Sequence, residues 1–261
     1  MGFLTNGEVH HSGIKNEETL QEKLENDMAK KIYPNLSESF VVERRGGTAN
    51  KEDVQIVDGK STYNISAKHK KGIDAGSYDY VNSSSATRDI PVLEEVRTFL
   101  SEKRKMHKGC ENKVKEVREE LKILTNKVMK KLTSSDIRNI LLTHVNQKNK
   151  DMKMIITDSL TGENHVFDFA DTAVYNHIQN HTPSLKWKSK NPNQTSAKIA
   201  FINGEGKEHD CGLRLRVVTN NGINALLGLS KSNKNSKLTI KIQQDGIRKM
   251  LETTKNHKIF Y

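Results

Sequence analysis

The chain has 261 residues, of which 34% are hydrophobic and 29% charged, and a net charge of +11. That supplies one sizeable core, so a single compact domain over residues 1–261 is expected; no uninterrupted apolar run approaches the roughly 18 residues that span a bilayer, which argues against a membrane-spanning helix. Met1 to Ser12 lacks a basic start followed by an apolar stretch, and Cys110 and Cys211 have no neighbouring thiol, so the expectation is a soluble, cytoplasmic protein with reduced cysteines, without a zinc site or disulfide framework.

In chain order, Leu20, Leu24, Met28 and Ile32 recur every four residues and predict a helix from about Asn16 to Tyr33, stopped by Pro34. Short β-branched or alternating runs follow at Phe40 to Glu43, Asp53 to Val57 and Thr62 to Lys68, the last two joined by a turn containing Asp58-Gly59. Gly72 to Arg88, rich in Ser and Gly, reads as a loop. From about Pro91 to Asn149 the pattern is helical, with Val114, Val117, Leu121, Leu124, Val128 and Leu132 forming a stripe that packs onto a core or, alternatively, pairs as a coiled coil. Ser134-Ser135-Asp136 offers an N-cap for the next helix. Strands resume at Met152 to Thr157, Val166 to Phe169, Ala197 to Ile202, Leu213 to Thr219 and Leu238 to Gln243, with a polar tract at Ser230 to Lys237.

The charge is unevenly placed. His181 to Tyr261 holds 15 Lys and Arg against 5 Asp and Glu, a balance of +10, whereas the first 180 residues hold 28 against 27. Such a basic region suits a polyanion, because phosphate neutralisation releases counterions; solubility alone is the bland alternative.

Candidate chemistry is concentrated between Gly46 and Gly72, in GGTANKEDVQIVDGKSTYNISAKHKKG. If the hairpin closes through two or four residues about Asp58-Gly59, Asp53 lies opposite Asn64 or Ser66, and Asn64, Ser66 and Lys68 share its face. A carboxylate, two neutral oxygens and an ammonium on one surface suit phosphodiester hydrolysis, which needs oxygen ligands for Mg²⁺ and a lysine to orient water and offset charge. For an isolated pattern of this kind an exposed hairpin with ordinary charges is the competing reading. His69 points to the opposite face from Lys68 and suits phosphate contact or solvation, while His10-His11 reads as a flexible terminus.

This run resembles the PD-(D/E)XK nucleases, in which an acid at the start of one strand is followed, a hairpin later, by an acid, a variable residue and a lysine; Asp53, Ser66 and Lys68 take those positions around Ala67. Gly46-Gly47 leading through Lys51 to Asp53, the opening GIKNEETLQEKLEN from Gly13 to Asn26, and SKLTIKIQQDGI from Ser236 to Ile247 are similar to small four-base-cutting type II restriction endonucleases. The resemblance implies an α/β restriction-endonuclease-like core, a central mixed β-sheet flanked by helices, with Asp53, Ser66, Lys68 and Glu17 as catalytic residues. Asp53, Ser66 and Glu17 would hold Mg²⁺, with Glu18 or Glu43 as alternatives to Glu17. The second acid of the family pattern is here Ser66, which weakens cation binding unless another acid supplies the charge.

The same reading divides the domain into a catalytic core at about 13–90, a helical insert at about 91–149 and a strand-rich, basic DNA-recognition part at about 150–261. Lys51, Lys70, Lys71, Lys186, Lys188, Lys231, Lys234 and Lys237 are the expected DNA contacts of the phosphate-binding kind, and Arg214 and Arg216, two apart in a strand, the ones suited to guanine. Asn220 and Asn221 either present amides to a groove or simply form a turn, and Trp187 is core or a wedge rather than a stacking platform. The expectation is a site-specific, Mg²⁺-dependent double-stranded DNA endonuclease, monomer or homodimer, leaving 5′-phosphate ends as the resemblance implies. A structure-selective or repair nuclease with the same core, and a DNA-binding module that has lost catalysis, remain as alternatives.

Overall fold

A computed structural model describes residues 6–45, 52–74, 77–83, 90–144, 152–187, 194–230 and 236–261. The strands are β1 (Val41–Arg44), β2 (Val54–Asp58), β3 (Ser61–Lys70), β4 (Ser77–Ser83), β5 (Lys153–Asp158), β6 (Asn164–Asp168), β7 (Thr182–Lys186), β8 (Ser196–Ile202), β9 (Glu208–Thr219), β10 (Leu238–Asp245) and β11 (Lys258–Phe260). The α-helices are α1 (Asn6–Lys23), α2 (Ala29–Ile32), α3 (Glu94–Met106), α4 (Val114–Met129), α5 (Ser134–His144), α6 (Ala173–Asn180), α7 (Gly222–Leu226) and α8 (Ile247–Glu252). Among the described residues, no helix is long and apolar enough to cross a membrane.

The protein is mixed α/β, but it has two sheets where the sequence suggested one central sheet, and they belong to two compact units. The first unit comprises residues 1–76, 147–175 and 246–261, and the second residues 77–146 and 176–245. The chain therefore crosses between units four times, and the stretch 150–261, read from sequence as one recognition part, contributes to both.

The first unit is built on a six-stranded sheet ordered β1-β2-β3-β5-β6-β11. It is mixed because β3 and β5 run parallel while its other neighbours are antiparallel. Val42, Val54, Ile56, Ile65 and Ile155 pack from one face against Leu20, Leu24 and Met28. Those helical residues recur every four positions, a period that drifts by about 40° per step against a 3.6-residue turn. A π-helical segment at Leu24–Met28, between α1 and α2, widens the turn there and keeps the stripe aimed at the sheet. The helical run ends at Ile32, two residues before Pro34, as the sequence indicated.

The second unit carries a five-stranded antiparallel sheet ordered β4-β10-β9-β8-β7. Ala197, Ile199, Leu213, Leu215, Ile240 and Ile242 are fully buried on one of its faces. Strand β4 lies inside the stretch 72–88 that reads as a loop in sequence. Helix α4 buries Val117, Leu121 and Val128, so this stripe packs into its own unit, the first of the two arrangements the sequence allows. Helix α5 is capped by Thr133 rather than Ser134. The Asp136 carboxylate accepts the Thr133 N–H at 2.8 Å and the Thr133 hydroxyl accepts the Asp136 N–H at 3.1 Å, a reciprocal box that satisfies two end donors.

Candidate active site

The β2–β3 hairpin closes through two residues, Gly59 and Lys60, since Asp58 pairs with Ser61. Gly59 takes φ +59°, the left-handed conformation such a turn requires. From this closure the register follows as Gln55 opposite Asn64 and Val54 opposite Ile65, which sets Asp53 opposite Ser66. Period-two alternation then puts Gln55, Asn64, Ser66 and Lys68 on one face, while Val54, Ile56 and Ile65 turn to the helix-covered core. Of the two partners the sequence leaves open for Asp53, Asn64 and Ser66, the register selects Ser66, because the turn is Gly59-Lys60 rather than Asp58-Gly59.

Asp53 sits just before β2, and its Oδ2 gathers three donors: Ala67 N–H at 2.7 Å, Ser66 Oγ at 3.1 Å and Lys68 Nζ at 3.1 Å. The Asp53 N–H meanwhile donates to the Ile65 carbonyl at 2.9 Å. The carboxylate thus takes a β3 amide where the ladder between β2 and β3 runs out, and in doing so fixes its own orientation. Ser66 is buried at 6% exposure, whereas the side chains of Asp53 and Lys68 retain 22% and 33%. The ammonium and carboxylate are therefore reachable from solvent while the hydroxyl between them is held. Beside them Gln55 Nε2 donates to Asn64 Oδ1 at 2.9 Å, and Arg45 Nε donates to Gln55 Oε1 at 3.1 Å.

Of the acids offered to complete a metal site, Glu18 is ion-paired with Arg44 and Glu43 with Arg45, each at 2.7 Å. Glu17 is half-buried on α1, one turn before Leu20. The stripe of Leu20 and Leu24 meets the Val54–Ile65 face, whereas Ser66 and Lys68 belong to the alternate face. Among the described residues, no three His, Cys, Asp or Glu side chains are placed together to hold a metal ion. What this site offers is one carboxylate and one hydroxyl, both oxygen donors of the kind Mg²⁺ takes. Mg²⁺ is commonly held by one or two carboxylates together with substrate phosphates, so the donor set fits an ion that arrives with its substrate.

The predicted DNA contacts are dispersed. Lys70 and Lys71 lie at and beyond the end of β3 in the first unit, where the Lys70 carbonyl accepts the Ser159 N–H at 2.8 Å. Lys186, Arg214, Arg216, Asn220, Asn221 and Lys237 are in the second unit, and Lys51, Lys188, Lys231 and Lys234 fall outside the described residues. Lys186 is ion-paired with Glu208 at 2.8 Å, and Arg214 lies against the Asp245 carboxylate without its Nε–H being aimed for a hydrogen bond. Asn220 serves a turn: its Oδ1 accepts the Lys237 N–H at 2.7 Å and its own N–H donates to the Lys237 carbonyl at 3.0 Å. Sequence reading missed these acidic partners because they come from other strands.

The division of charge is sharper in space than along the chain. The first unit holds 18 Lys and Arg against 18 Asp and Glu; the second holds 25 against 14 and so carries the whole net charge of +11. Comparison with protein-family models, with curated proteins and with solved structures gives no match for this chain.

Proposed function

We propose that this protein is a Mg²⁺-dependent endonuclease of double-stranded DNA, with a restriction-endonuclease-like core in its first unit and its activity in the cytoplasm, as monomer or homodimer. The observation that carries this reading is the meeting of Asp53, Ser66 and Lys68 at the open end of one hairpin, a carboxylate, a hydroxyl and an ammonium within 3.1 Å of one oxygen. Bound Mg²⁺ would polarise the scissile phosphate and lower the pKa of a coordinated water. Asp53 would supply its anionic ligand, and Ser66 a neutral one while keeping the carboxylate turned toward Lys68. Lys68 would orient the attacking water and offset the negative charge that grows on the phosphate oxygens as the P–O bond to the leaving 3′ oxygen breaks. Glu17 takes the position that the resemblance gives to a further ligand, but its helix packs on the sheet face opposite Ser66 and Lys68, so its part rests on the resemblance alone.

Incubation of the purified chain with plasmid-length duplex and Mg²⁺ tests the reading. Discrete fragments with 5′-phosphate ends are expected of a site-specific enzyme; smearing or junction-selective cutting would place it among structure-selective or repair nucleases. Binding without cutting would leave a DNA-binding module that has lost catalysis. That last reading has an observation of its own, since Ser66 stands where the family pattern has an acid and the three donors on Asp53 Oδ2 make a self-sufficient hairpin clasp.

A further inference from the structure

The five-stranded sheet of the second unit has one buried apolar face, and its other face carries cations in rows. Pairing sets Lys186 opposite Lys198 and Lys198 opposite Arg214, and in the next row Ser196 opposite Arg216 and Arg216 opposite Lys241. Directly paired residues share a face, and so do residues two apart on a strand. All five cations therefore lie on the side opposite Leu215, Ile240 and Ile242, which are fully buried. Lys186 and Lys198 keep 50% and 38% of their side chains exposed and Arg214 keeps 32%. The first row crosses two inter-strand steps, about 10 Å, a length over which a DNA duplex presents roughly six phosphate charges.

Three acids are interleaved with these cations. Glu208 is paired with Lys186 at 2.8 Å, Asp210 with Lys198 at 2.7 Å and Asp245 with Arg214. Asp210 is itself anchored, because its Oδ1 accepts the Gly212 N–H at 2.8 Å. Gly212 stands at the irregularity where β8 and β9 shift register, with φ +73°. A Cβ there would fall 2.6 Å from the Asp245 carbonyl oxygen, so only glycine lets the backbone pass. Arg216 has no acid partner of this kind among the described residues.

We infer that this face is a preformed track for the phosphate backbone of duplex DNA, with Glu208, Asp210 and Asp245 holding its cations in place and masking part of their charge until phosphate takes over. The inference rests on the nuclease reading for its choice of polyanion and adds Lys198 and Lys241 to the binding surface. Its mark is a gain of function. Phosphate competes with the acids for the same cations, so removing acid charge strengthens binding, whereas a merely structural ion pair would give no change or a loss.

Duplex binding by the full-length chain, followed by fluorescence anisotropy from 50 to 200 mM salt with Ca²⁺ in place of Mg²⁺, separates the outcomes. The double variant Glu208→Gln with Asp210→Asn is expected to bind several-fold more tightly with a steeper salt dependence. Lys198→Gln with Lys241→Gln is expected to bind more weakly, with a salt slope shallower by about 0.9 for each phosphate that is no longer neutralised. Lys198→Arg should preserve binding, and unchanged melting midpoints establish that the variants are folded. If the wild-type chain binds duplex and both double variants match it in affinity and slope, the track is wrong while the nuclease reading stands. If the variants shift as described but plasmid is never cut with Mg²⁺, the track stands and the nuclease reading falls. A wild-type chain that binds no duplex at 50 mM salt overturns both.

Discussion

The two units differ in what they do with their charges. The first, with 18 cations and 18 anions, gathers a carboxylate and an ammonium at one hairpin end, where a few ångströms decide the chemistry. The second, with 25 against 14, has an excess of cations, five of which stand in rows on one sheet face, where no single cation is decisive. Site chemistry needs local opposition of charge, and a long polyanion needs distributed excess; on the nuclease reading each unit has the charge pattern of one of the two.

The widest separation between the units is expected from Asp53 and Lys68. On the nuclease reading, Lys68→Ala should lower cleavage by about a thousandfold or more, roughly 4 kcal/mol, while duplex binding stays within about tenfold. Asp53→Asn is the more telling change, because an amide oxygen can still accept the Ala67 N–H and the Ser66 hydroxyl but lacks the charge to hold a cation. Asp53→Asn that melts like the wild type and does not cut makes the carboxylate chemical. If it cuts normally while Asp53→Ala melts early, the residue is a clasp for the hairpin end.

Below that in size stands the fold of the first unit itself. Ile65 is fully buried at the centre of the sheet, on the strand that places Ser66 and Lys68, and truncating it to alanine should cost about 2–5 kcal/mol by denaturant titration. Arg216→Ala, in the second unit, should cost about 1–3 kcal/mol of discrimination at one base pair if its guanidinium reads a guanine, and only non-specific affinity if it serves the backbone. Binding to a cognate site and to a single-base variant of it tells these apart. Ser66→Ala should lower activity less than Asp53→Asn and raise the Mg²⁺ needed, since the hydroxyl is a neutral ligand and one of three donors on Asp53. Equal inactivity at saturating Mg²⁺ would give the serine a direct chemical role.

What could be read in advance follows the range of the interactions. The alignment of Asp53 with Ser66 and Lys68 is local: a two-residue turn at Gly59-Lys60 and strict alternation determine it over 16 residues. The helix stop before Pro34 is local for the same reason. The assignment of strands to sheets is not, because Leu213 to Thr219 alternates apolar and polar residues as it would in either sheet; only the pairing of β9 with β8 and β10 places it in the second unit. Strand β7 was hidden by Pro183, which lacks an amide donor and is tolerated here because β7 is an edge strand. Arg214 and Arg216 sharing a face was legible, but the acid on Arg214 comes from the far end of β10, 31 positions away, beyond the reach of any local pattern.

The smallest effect concerns acid, and it reaches both units through different histidines. In the first, His165 is 3% exposed and its Nδ1 lies 3.0 Å from His257 Nε2, so one ring must donate and the other accept. Burial pushes both below the ordinary histidine value, against the pull of Glu163 and Asp158 on His165 and reinforced at His257 by His165. In the second unit, burial and then the neighbouring His181 and His209 hold His177 down in the same way. A histidine with a depressed folded pKa binds its proton more readily when unfolded. Stability is therefore full above the unfolded value near 6.5 and is lost as pH falls below it, through the folded values. Protonating both rings of the His165–His257 pair would set two donors against each other beside the pairing of β11 with β6, in which His165 faces Ile259. His257→Gln keeps a group able to hydrogen-bond His165 and removes one of these titrations, so its denaturation midpoint should fall less between pH 7 and pH 5 than that of the wild type, and His177→Gln should do the same independently. An undiminished acid loss in the double variant would move the pH dependence to the other histidines that burial holds down, His165 and His69, because Asp158 acts only further down the pH scale. Burial pushes that carboxyl up, but the N–H groups of Leu160, Gly72 and Ile73 hold it below the usual range, so it loses its charge only at lower pH.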